Sequence, residues 1–172
     1  FPTRRSSDLH IRLAEDGPVG YGKAGSFEGF CSGGGIAQLG QVMAEEALDR
    51  EEIPSFCQSK GELFKVNART IAEAAEKGDP LALKIYDIVA DRLGQGLAIL
   101  VDLLNPEKIV IGSIFLRQEK LLRTRMEKIL NKEALEHSLS VVEVVPAGLG
   151  EKLGDYAAVS VGLRAYQKKQ ER

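Results

Sequence analysis

The second half of the 172-residue sequence predicts an α/β fold built in layers. Two runs rich in β-branched residues, 108–111 and 140–145, alternate with segments of helical periodicity. The first run is apolar after Lys108 and ends at Gly112, which is typical of a buried strand in a parallel sheet. Helices that alternate with parallel strands pack on the faces of the sheet. The helical segments around the two runs are residues 80–104, 116–136 and 154–169.

The first elements of the chain are a predicted strand and a glycine-rich loop. Residues 10–13 alternate as a strand does. Seven of the sixteen residues from 20 to 35 are glycine, which lets a ligand or another backbone approach closely. Tyr21 and Phe27 are expected to anchor this loop by packing, and the glycines after Ser32 are expected to pack closely.

Local capping signals place the helices that follow. A helix over residues 36–50 has Ser32 as its predicted N-cap. A shorter helix over residues 71–77 is predicted to start from Thr70 and to stop at Gly78.

The longest predicted helix, residues 80–104, starts from Asp79, with Pro80 at its first position. Gly94 and Gly96 inside it each cost about 1 kcal/mol relative to alanine. We therefore expect another element to pack closely against this part of the helix.

Composition excludes several classes of function. Lysine and arginine total 23 against 25 acidic residues, so no global positive field would recruit nucleic acid. Cys31 and Cys57 are isolated, which is typical of reduced thiols in a cytoplasmic protein. The longest apolar run, residues 97–104, is broken by Asp102 and is too short to predict a membrane span.

The first nine residues, from Phe1 to Leu9, match a frame translation of a common sequencing-adapter oligonucleotide. They are therefore interpreted as a non-native segment and excluded from the fold prediction. The native sequence is expected to begin at His10, with an unknown stretch missing before it.

Three blocks of sequence resemble the ROK family (repressor, open reading frame, kinase). Residues 10–33 are similar to the region of the family with a Glu-x-Gly-His motif, a cysteine-rich zinc loop, Leu-Glu and Ser-Gly. Asn105-Pro106-Glu107 and the run after it resemble the strand that precedes the adenosine-binding glycines. Leu153-Gly154-Asp155 with Gly162 resembles the closing helix.

The resemblance implies the C-terminal domain of an actin-like ATPase fold of the hexokinase and ribonuclease H type, with a mixed sheet flanked by helices. Residues 10–172 would form this domain, with a sugar-binding loop at 10–35 and an α/β remainder at 36–172. The closing helix would normally pack against a missing N-terminal domain. It would therefore be exposed here, and the isolated chain would associate with itself.

The resemblance also implies the site residues. His10 falls on the histidine of the Glu-x-Gly-His motif, and Glu28 falls on a second carboxylate that binds sugar hydroxyls. The glutamate of the motif would lie at Ser7, inside the adapter segment. Gly112 and Ser113 fall where the family contacts adenosine.

The zinc loop departs from the family pattern, because Val19, Tyr21 and Ser26 stand where its cysteines would be. A structural zinc ion needs four nitrogen or sulfur ligands, so no zinc is expected.

Two functions fit the resemblance. In the first, the parent protein is a sugar kinase that uses ATP and Mg²⁺, and this fragment is inactive because the catalytic aspartate and the phosphate-binding segment precede His10. In the second, the parent is a sugar-sensing transcriptional repressor that has lost its DNA-binding region. The expected partners are a sugar and the missing domain, with no membrane, no nucleic acid for this fragment, and a homodimer as an option. A third alternative is a domain with no ligand.

Overall fold

The computed structural model describes residues 8–170, apart from several side chains near the two ends of that span. Of the segment interpreted as adapter-derived, residues 1–7 lie outside the described residues. The strands are β1 Val19–Gly20, β2 Lys23–Ala24, β3 Lys108–Ile111 and β4 Glu143–Pro146. The α-helices are α1 Phe27–Cys31, α2 Gly33–Asp49, α3 Ala68–Glu76, α4 Pro80–Leu104, α5 Ile114–Glu133, α6 Glu136–Leu139 and α7 Leu153–Gln170.

Helix α4 is the central element of the core. Asp79 caps it by accepting a hydrogen bond from Ala82 N–H at 2.9 Å, and Pro80 occupies its first turn, as predicted. One stripe of α4 is buried and packs against α1, α2, α3 and α5. The helix ends at Asn105, which has left-handed backbone geometry, just before Pro106. The stripe comprises Ile85, Val89, Leu93, Leu97 and Val101.

The predicted close contacts at two glycines of α4 are confirmed. A Cβ at Gly94 would lie 2.6 Å from the Met126 carbonyl oxygen of α5. A Cβ at Gly96 would lie 2.6 Å from the ring of Phe27 in α1. Both distances are too short for any side chain larger than hydrogen. Glycine therefore lets α4 approach α5 on one side and α1 on the other.

The predicted N-cap is confirmed for α2, whereas the N-cap of α3 lies earlier in the chain than predicted. Ser32 caps α2 by accepting from Gly35 N–H at 3.1 Å. The N-cap of α3 is Asn67, three residues before the predicted Thr70. Thr70 closes a reciprocal capping box instead, because its hydroxyl accepts from Asn67 N–H at 3.1 Å.

The strands form two separate sheets within the described span. β1 and β2 make an antiparallel hairpin, and β3 and β4 pair in parallel, with Ile109 opposite Val144. The predicted parallel pairing is therefore confirmed. The prediction that β3 is buried is wrong for one face, since Val110 is 59% exposed. The core covers Ile109 and Ile111 only.

Two predicted strand ranges need correction. Residues 10–13 form no strand. A short 3₁₀ turn covers Asp8–His10, and Arg12 makes only an isolated antiparallel bridge to Ser26. The second core strand begins at Glu143 rather than at residue 140. Helix α6 and a turn occupy the residues just before it, where Ser140 N–H donates to the Glu136 carbonyl at 3.1 Å.

Helix α7 closes the described chain and is exposed over most of its length. Its apolar side chains include Val159 at 60% exposure and Leu163 at 57%. This exposure agrees with the expectation drawn from the closing helix. No helix among residues 8–170 is long and apolar enough to cross a membrane.

Candidate functional site

The glycine-rich loop is held in place by hydrogen bonds. Leu13 N–H and Ala14 N–H both donate to the Gly25 carbonyl, at 2.8 and 3.1 Å. Ser26 is fully buried; its hydroxyl oxygen accepts from Gly29 N–H at 3.0 Å, while the hydroxyl donates to the Gly20 carbonyl at 3.4 Å. Ser26 therefore ties β1 to α1, at one of the positions where the resemblance would place a zinc-loop cysteine.

Tyr21 does not anchor the loop, contrary to the prediction. It has a φ of 48° and is followed by Gly22 at 76°, and the two positive values are those of a two-residue hairpin turn of type I′. This turn directs Tyr21 outward, where it is 75% exposed. Phe27, at 2% exposure, is a packing anchor as predicted.

Close packing of backbone explains two of the glycines in the loop. A Cβ at Gly29 would lie 2.1 Å from the Pro18 carbonyl oxygen, and a Cβ at Gly35 would lie 1.5 Å from the Gly29 carbonyl oxygen. Gly34 has open space around it. The expected close-packing role of the glycines after Ser32 therefore applies to Gly35.

Glu28 and His10 are brought into one neighbourhood by a backbone hydrogen bond. Phe27 N–H donates to the Ile11 carbonyl at 2.8 Å, and each predicted sugar residue lies next to one partner of this bond. The Lys23 ammonium group donates to the His10 carbonyl at 2.7 Å and fixes the backbone there. The Nδ1 atom of His10 is buried and has no hydrogen-bond partner among the described residues.

A cavity of about 530 Å³ lies beside α1. Its walls include Glu28 and the loop of Gly112 and Ser113, so one of the two predicted sugar residues shares a hollow with both predicted nucleotide residues. Its floor is apolar and comes from α4. Leu9 lines the cavity, whereas His10 does not. The floor residues are Val89, Leu93, Leu97 and Leu100.

The electrostatics of this cavity depend on one carboxylate. Among the described residues that line it, Glu28 is the only charged one. Burial, together with the negative charge of Glu28, raises the pKa of the Cys31 thiol far above its ordinary value. A raised pKa favours the neutral thiol of Cys31, which is a weaker nucleophile than a thiolate. The cavity therefore combines the Glu28 carboxylate, which can bind hydroxyl groups, with an apolar floor.

The nucleotide side of the cavity begins where β3 ends. Ser113 precedes α5 with φ 53° and ψ −119°, a region that glycine occupies readily and other residues rarely do. The side chain of Ser113 makes no capping hydrogen bond, so the first N–H groups of α5 have no side-chain acceptor at their N-cap. Free N–H groups at a helix start favour an anionic or acceptor group of a ligand.

Sequence reasoning missed a second cavity next to the first. It has a volume of about 570 Å³, lies between the start of α2, α3 and α5, and shares Gly33 and Ile114 with the first cavity. Gln118, which lines it, has non-helical backbone angles of −122° and 23° inside α5. No proline or glycine marks this kink, so the sequence carries no signal for it.

No group of three or more histidine, cysteine, aspartate or glutamate side chains that could hold a metal ion occurs among the described side chains. The expectation of a zinc-free loop stays a prediction. Ser26 shows how the loop is connected through hydrogen bonds at one of the substituted positions.

Both the fold and the sequence of this chain resemble those of known proteins. The solved structure of a ROK family glucokinase from Streptomyces griseus, in complex with glucose and AMPPNP, is similar with a TM-score of 0.64 at 24% identity. The match covers 86% of this chain and 48% of that one. The chain therefore has the α/β, actin-like ATPase fold predicted from the resemblance. The ROK family sequence model matches residues 9–162, and the chain belongs to the ROK family.

The curated relatives include both proteins that regulate transcription and sugar kinases. The DNA-binding transcriptional dual regulator NagC of Escherichia coli is 31% identical over 134 residues, which are 75% of this chain and 33% of NagC. A glucokinase of Halalkalibacterium halodurans is 33% identical over 105 residues, 60% of this chain and 31% of the glucokinase. The chain thus spans about a third of the length of these two relatives.

Proposed function

We propose that this chain is the C-terminal part of an ATP-dependent sugar kinase that transfers the γ-phosphate of ATP to a hexose hydroxyl. The observation that carries the proposal is the shared cavity, in which Glu28 faces the loop of Gly112 and Ser113. A sugar kinase must hold a polyhydroxyl acceptor beside a nucleotide, because phosphoryl transfer depends on alignment of the two. The Streptomyces griseus relative was solved with glucose and AMPPNP together, which supports this pairing of ligands.

The sugar half of the proposed site is Glu28 and His10. An ionised carboxylate is a pure acceptor with about four lone-pair positions, so Glu28 can accept hydrogen bonds from two neighbouring hydroxyls. Such charge-assisted bonds are roughly twice as strong as neutral ones. Because Nδ1 of His10 is buried and unpartnered within the described span, it can bond a hydroxyl if a small rearrangement opens it to the cavity.

The nucleotide half of the proposed site is Gly112 and Ser113. They end a parallel strand, and in α/β sheets ligands bind beyond the carboxyl ends of the strands. The positive φ of Ser113 turns the chain sharply into α5 and leaves the cavity open above it. Adenosine is proposed to contact these two residues.

Mg²⁺ would accompany the phosphates and neutralise their developing charge. Glu28, the one carboxylate that lines the cavity among its described residues, is assigned to the sugar. Following the resemblance to ROK kinases, we assign the metal-proximal and catalytic groups, including the aspartate that acts as base, to sequence upstream of His10. By itself the chain is expected to bind ligands without turnover. Residues 10–172 are proposed to be one cytoplasmic C-terminal domain behind a non-native segment at 1–9.

Titration of the chain with glucose by isothermal calorimetry or NMR tests the sugar half. Glu28→Gln keeps the size of the side chain and removes its charge, so it should weaken glucose binding about 10- to 100-fold. His10→Ala should also weaken it. Glu46→Gln makes the same chemical change on the exposed face of α2 and should leave affinity unchanged. Equal affinity for glucose in Glu28→Gln and the unchanged chain would remove Glu28 from the site.

A coupled phosphorylation assay with ATP and common hexoses tests the kinase reading in the intact parent. Turnover is expected for the parent and none for this chain. Turnover by this chain alone would contradict the assignment of the catalytic groups to the upstream sequence.

The alternative function is a sugar-sensing transcriptional repressor. The match to NagC favours it, since that match covers 75% of this chain at 31% identity. In this case the same cavity would bind sugar as a signal, and a DNA-binding region would lie upstream. A parent that binds operator DNA, releases it on addition of sugar, and shows no phosphorylation would establish the repressor.

A further inference from the structure

Among the described residues that line the second cavity, Gln118 has a buried polar atom without a hydrogen-bond partner. Oε1 of Gln118 is buried and has no hydrogen-bond partner among the described residues. An unsatisfied buried acceptor costs about 1–3 kcal/mol, so a partner such as a water molecule or a ligand group would stabilise it. The backbone kink at Gln118 interrupts the regular course of α5 at this point.

Two other polar residues of the cavity are already engaged. Asn67 Oδ1 accepts from Arg69 N–H and Thr70 N–H as the cap of α3. The Arg69 guanidinium is paired with Glu73 at 2.8 Å. Glu76 and Arg117 also line the cavity and are exposed. Oε1 of Gln118 is therefore a buried acceptor without a partner among the described residues, in a side chain that lines the cavity beside Ala72 and Ile114.

The position of this cavity determines what would occupy it. It adjoins the proposed nucleotide loop, because Ile114 directly follows Ser113 and lines both cavities together with Gly33. A nucleoside held at Gly112 and Ser113 can thus place its sugar and phosphates in the first cavity and its base in the second. A volume of about 570 Å³ is ample for a purine ring.

We propose that Gln118 is a specificity-determining residue that binds the base of the nucleotide and selects adenine. This inference rests on the proposed nucleotide site. A glutamine side chain pairs with adenine through two hydrogen bonds: the exocyclic amino group donates to Oε1, and Nε2 donates to a ring nitrogen. The first bond satisfies the acceptor that the described residues leave unpaired. A guanine would instead present a carbonyl oxygen to Oε1, and two acceptors would face each other.

The test is an NMR titration of the isotope-labelled chain with adenosine, guanosine and glucose in turn. Adenosine should shift the side-chain amide signals of Gln118, which Gln118→Leu identifies by their loss. Gln118→Leu should weaken adenosine binding about tenfold, as expected for lost hydrogen bonds, and leave glucose binding unchanged. Gln167→Leu, the same change at an exposed position on α7, should affect neither ligand.

A second variant keeps the proposal testable if Gln118→Leu perturbs folding. Gln118→Glu has a carboxylate, which can accept from both N1–H and the amino group of guanine. The ratio of adenosine affinity to guanosine affinity should therefore be at least several-fold lower in Gln118→Glu than in the unchanged chain. Because both affinities are measured on the same variant, a change in its stability does not affect the ratio.

Three results would overturn the inference. Adenosine binding unchanged in Gln118→Leu would remove Gln118 from the base site while leaving the nucleotide loop in place. Glucose binding without any adenosine response would overturn the base site and leave the sugar half of the proposed function standing. Absence of a response to glucose and to both nucleosides would overturn the proposed function as well.

Discussion

Ser113 adopts a backbone conformation that its side chain disfavours. Residues outside the common regions of φ and ψ cost about 1–3 kcal/mol, whereas glycine reaches this region freely. We expect Ser113→Gly to raise the free energy of unfolding by about 1 kcal/mol, after allowing for the larger chain entropy of glycine when unfolded. Urea denaturation would measure this change. Ser113→Ala keeps a Cβ at the same φ and should not raise the free energy of unfolding. An equal increase in Ser113→Gly and Ser113→Ala would show that backbone strain at position 113 is not the cause.

The strain at Ser113 gives a physical reason for the consecutive glycines that the family usually has after this strand. The loop reverses sharply between β3 and α5, and Gly112 lines the cavity there. The sequence predicts the location of this turn, because Gly112 follows a β-branched run. It does not predict the positive φ of Ser113, since serine is rare in that conformation.

At the level of single elements, the start of α4 depends on the charge of Asp79. Partial burial raises the pKa of this carboxyl, but hydrogen bonds from Ala82 and Ser55 N–H lower it more, and the net shift is downward. Because the pKa of Asp79 is lower in the folded than in the unfolded state, the ionised carboxylate stabilises the folded protein at pH values above the unfolded pKa, near 3.9. This stabilisation is lost as the pH falls through the folded pKa.

Asp79→Ala should therefore lower the free energy of unfolding by about 1 kcal/mol at pH 7. Thermal melts between pH 2 and 7 should show a smaller loss of stability below pH 4 for the variant than for the unchanged chain. Asp79→Asn keeps an acceptor for the cap and should lose less stability at neutral pH. Identical pH profiles in all three proteins would show that Asp79 contributes no pH-dependent stability.

The packing of α4 on α1 gives a second prediction at this scale. A methyl group at position 96 would lie 2.6 Å from the buried ring of Phe27, so the ring or the helix would have to shift. Overpacking costs about 1–3 kcal/mol, partly offset by the better helix propensity of alanine. We expect Gly96→Ala to destabilise the chain by about 1–2 kcal/mol in chemical denaturation. Gly162→Ala on α7, where a Cβ has open space, should cause no loss.

Local signals in the sequence predict elements better than they predict contacts between them. Asp79 with Pro80 and Ser32 with the glycines after it mark helix starts, because capping involves only neighbouring residues. The α3 boundary shifted to Asn67 because two good capping residues lie three positions apart. Tyr21 was misplaced because its hydrophobicity suggests burial, while the hairpin turn sets its direction.

At the scale of the whole molecule, the candidate site also depends on contacts between elements that local sequence signals do not predict. Glu28 and Gly112 are far apart in sequence, and α4 brings their elements together by packing against both α1 and α5. Only the family resemblance allowed these residues to be grouped from the sequence. The second cavity depends on the packing of three helices and on a kink at Gln118, and neither is encoded in a local motif.

The exposed helix α7 governs how whole molecules behave toward one another. Val159 and Leu163 are four residues apart, so they lie on one face, and both are more than half exposed. Exposed apolar surface of this kind favours association. Light scattering should therefore give a mass that rises above 18.7 kDa as concentration increases.

Val159→Lys combined with Leu163→Lys should restore the monomer mass, because burial of two charges would oppose contact between helices. Leu103→Lys alters a leucine on α4 that is even more exposed, at 73%, and should leave association unchanged. If the unchanged chain stays at 18.7 kDa over the whole concentration range, α7 does not drive association. If Leu103→Lys is as effective as the double variant, general surface hydrophobicity rather than α7 is responsible.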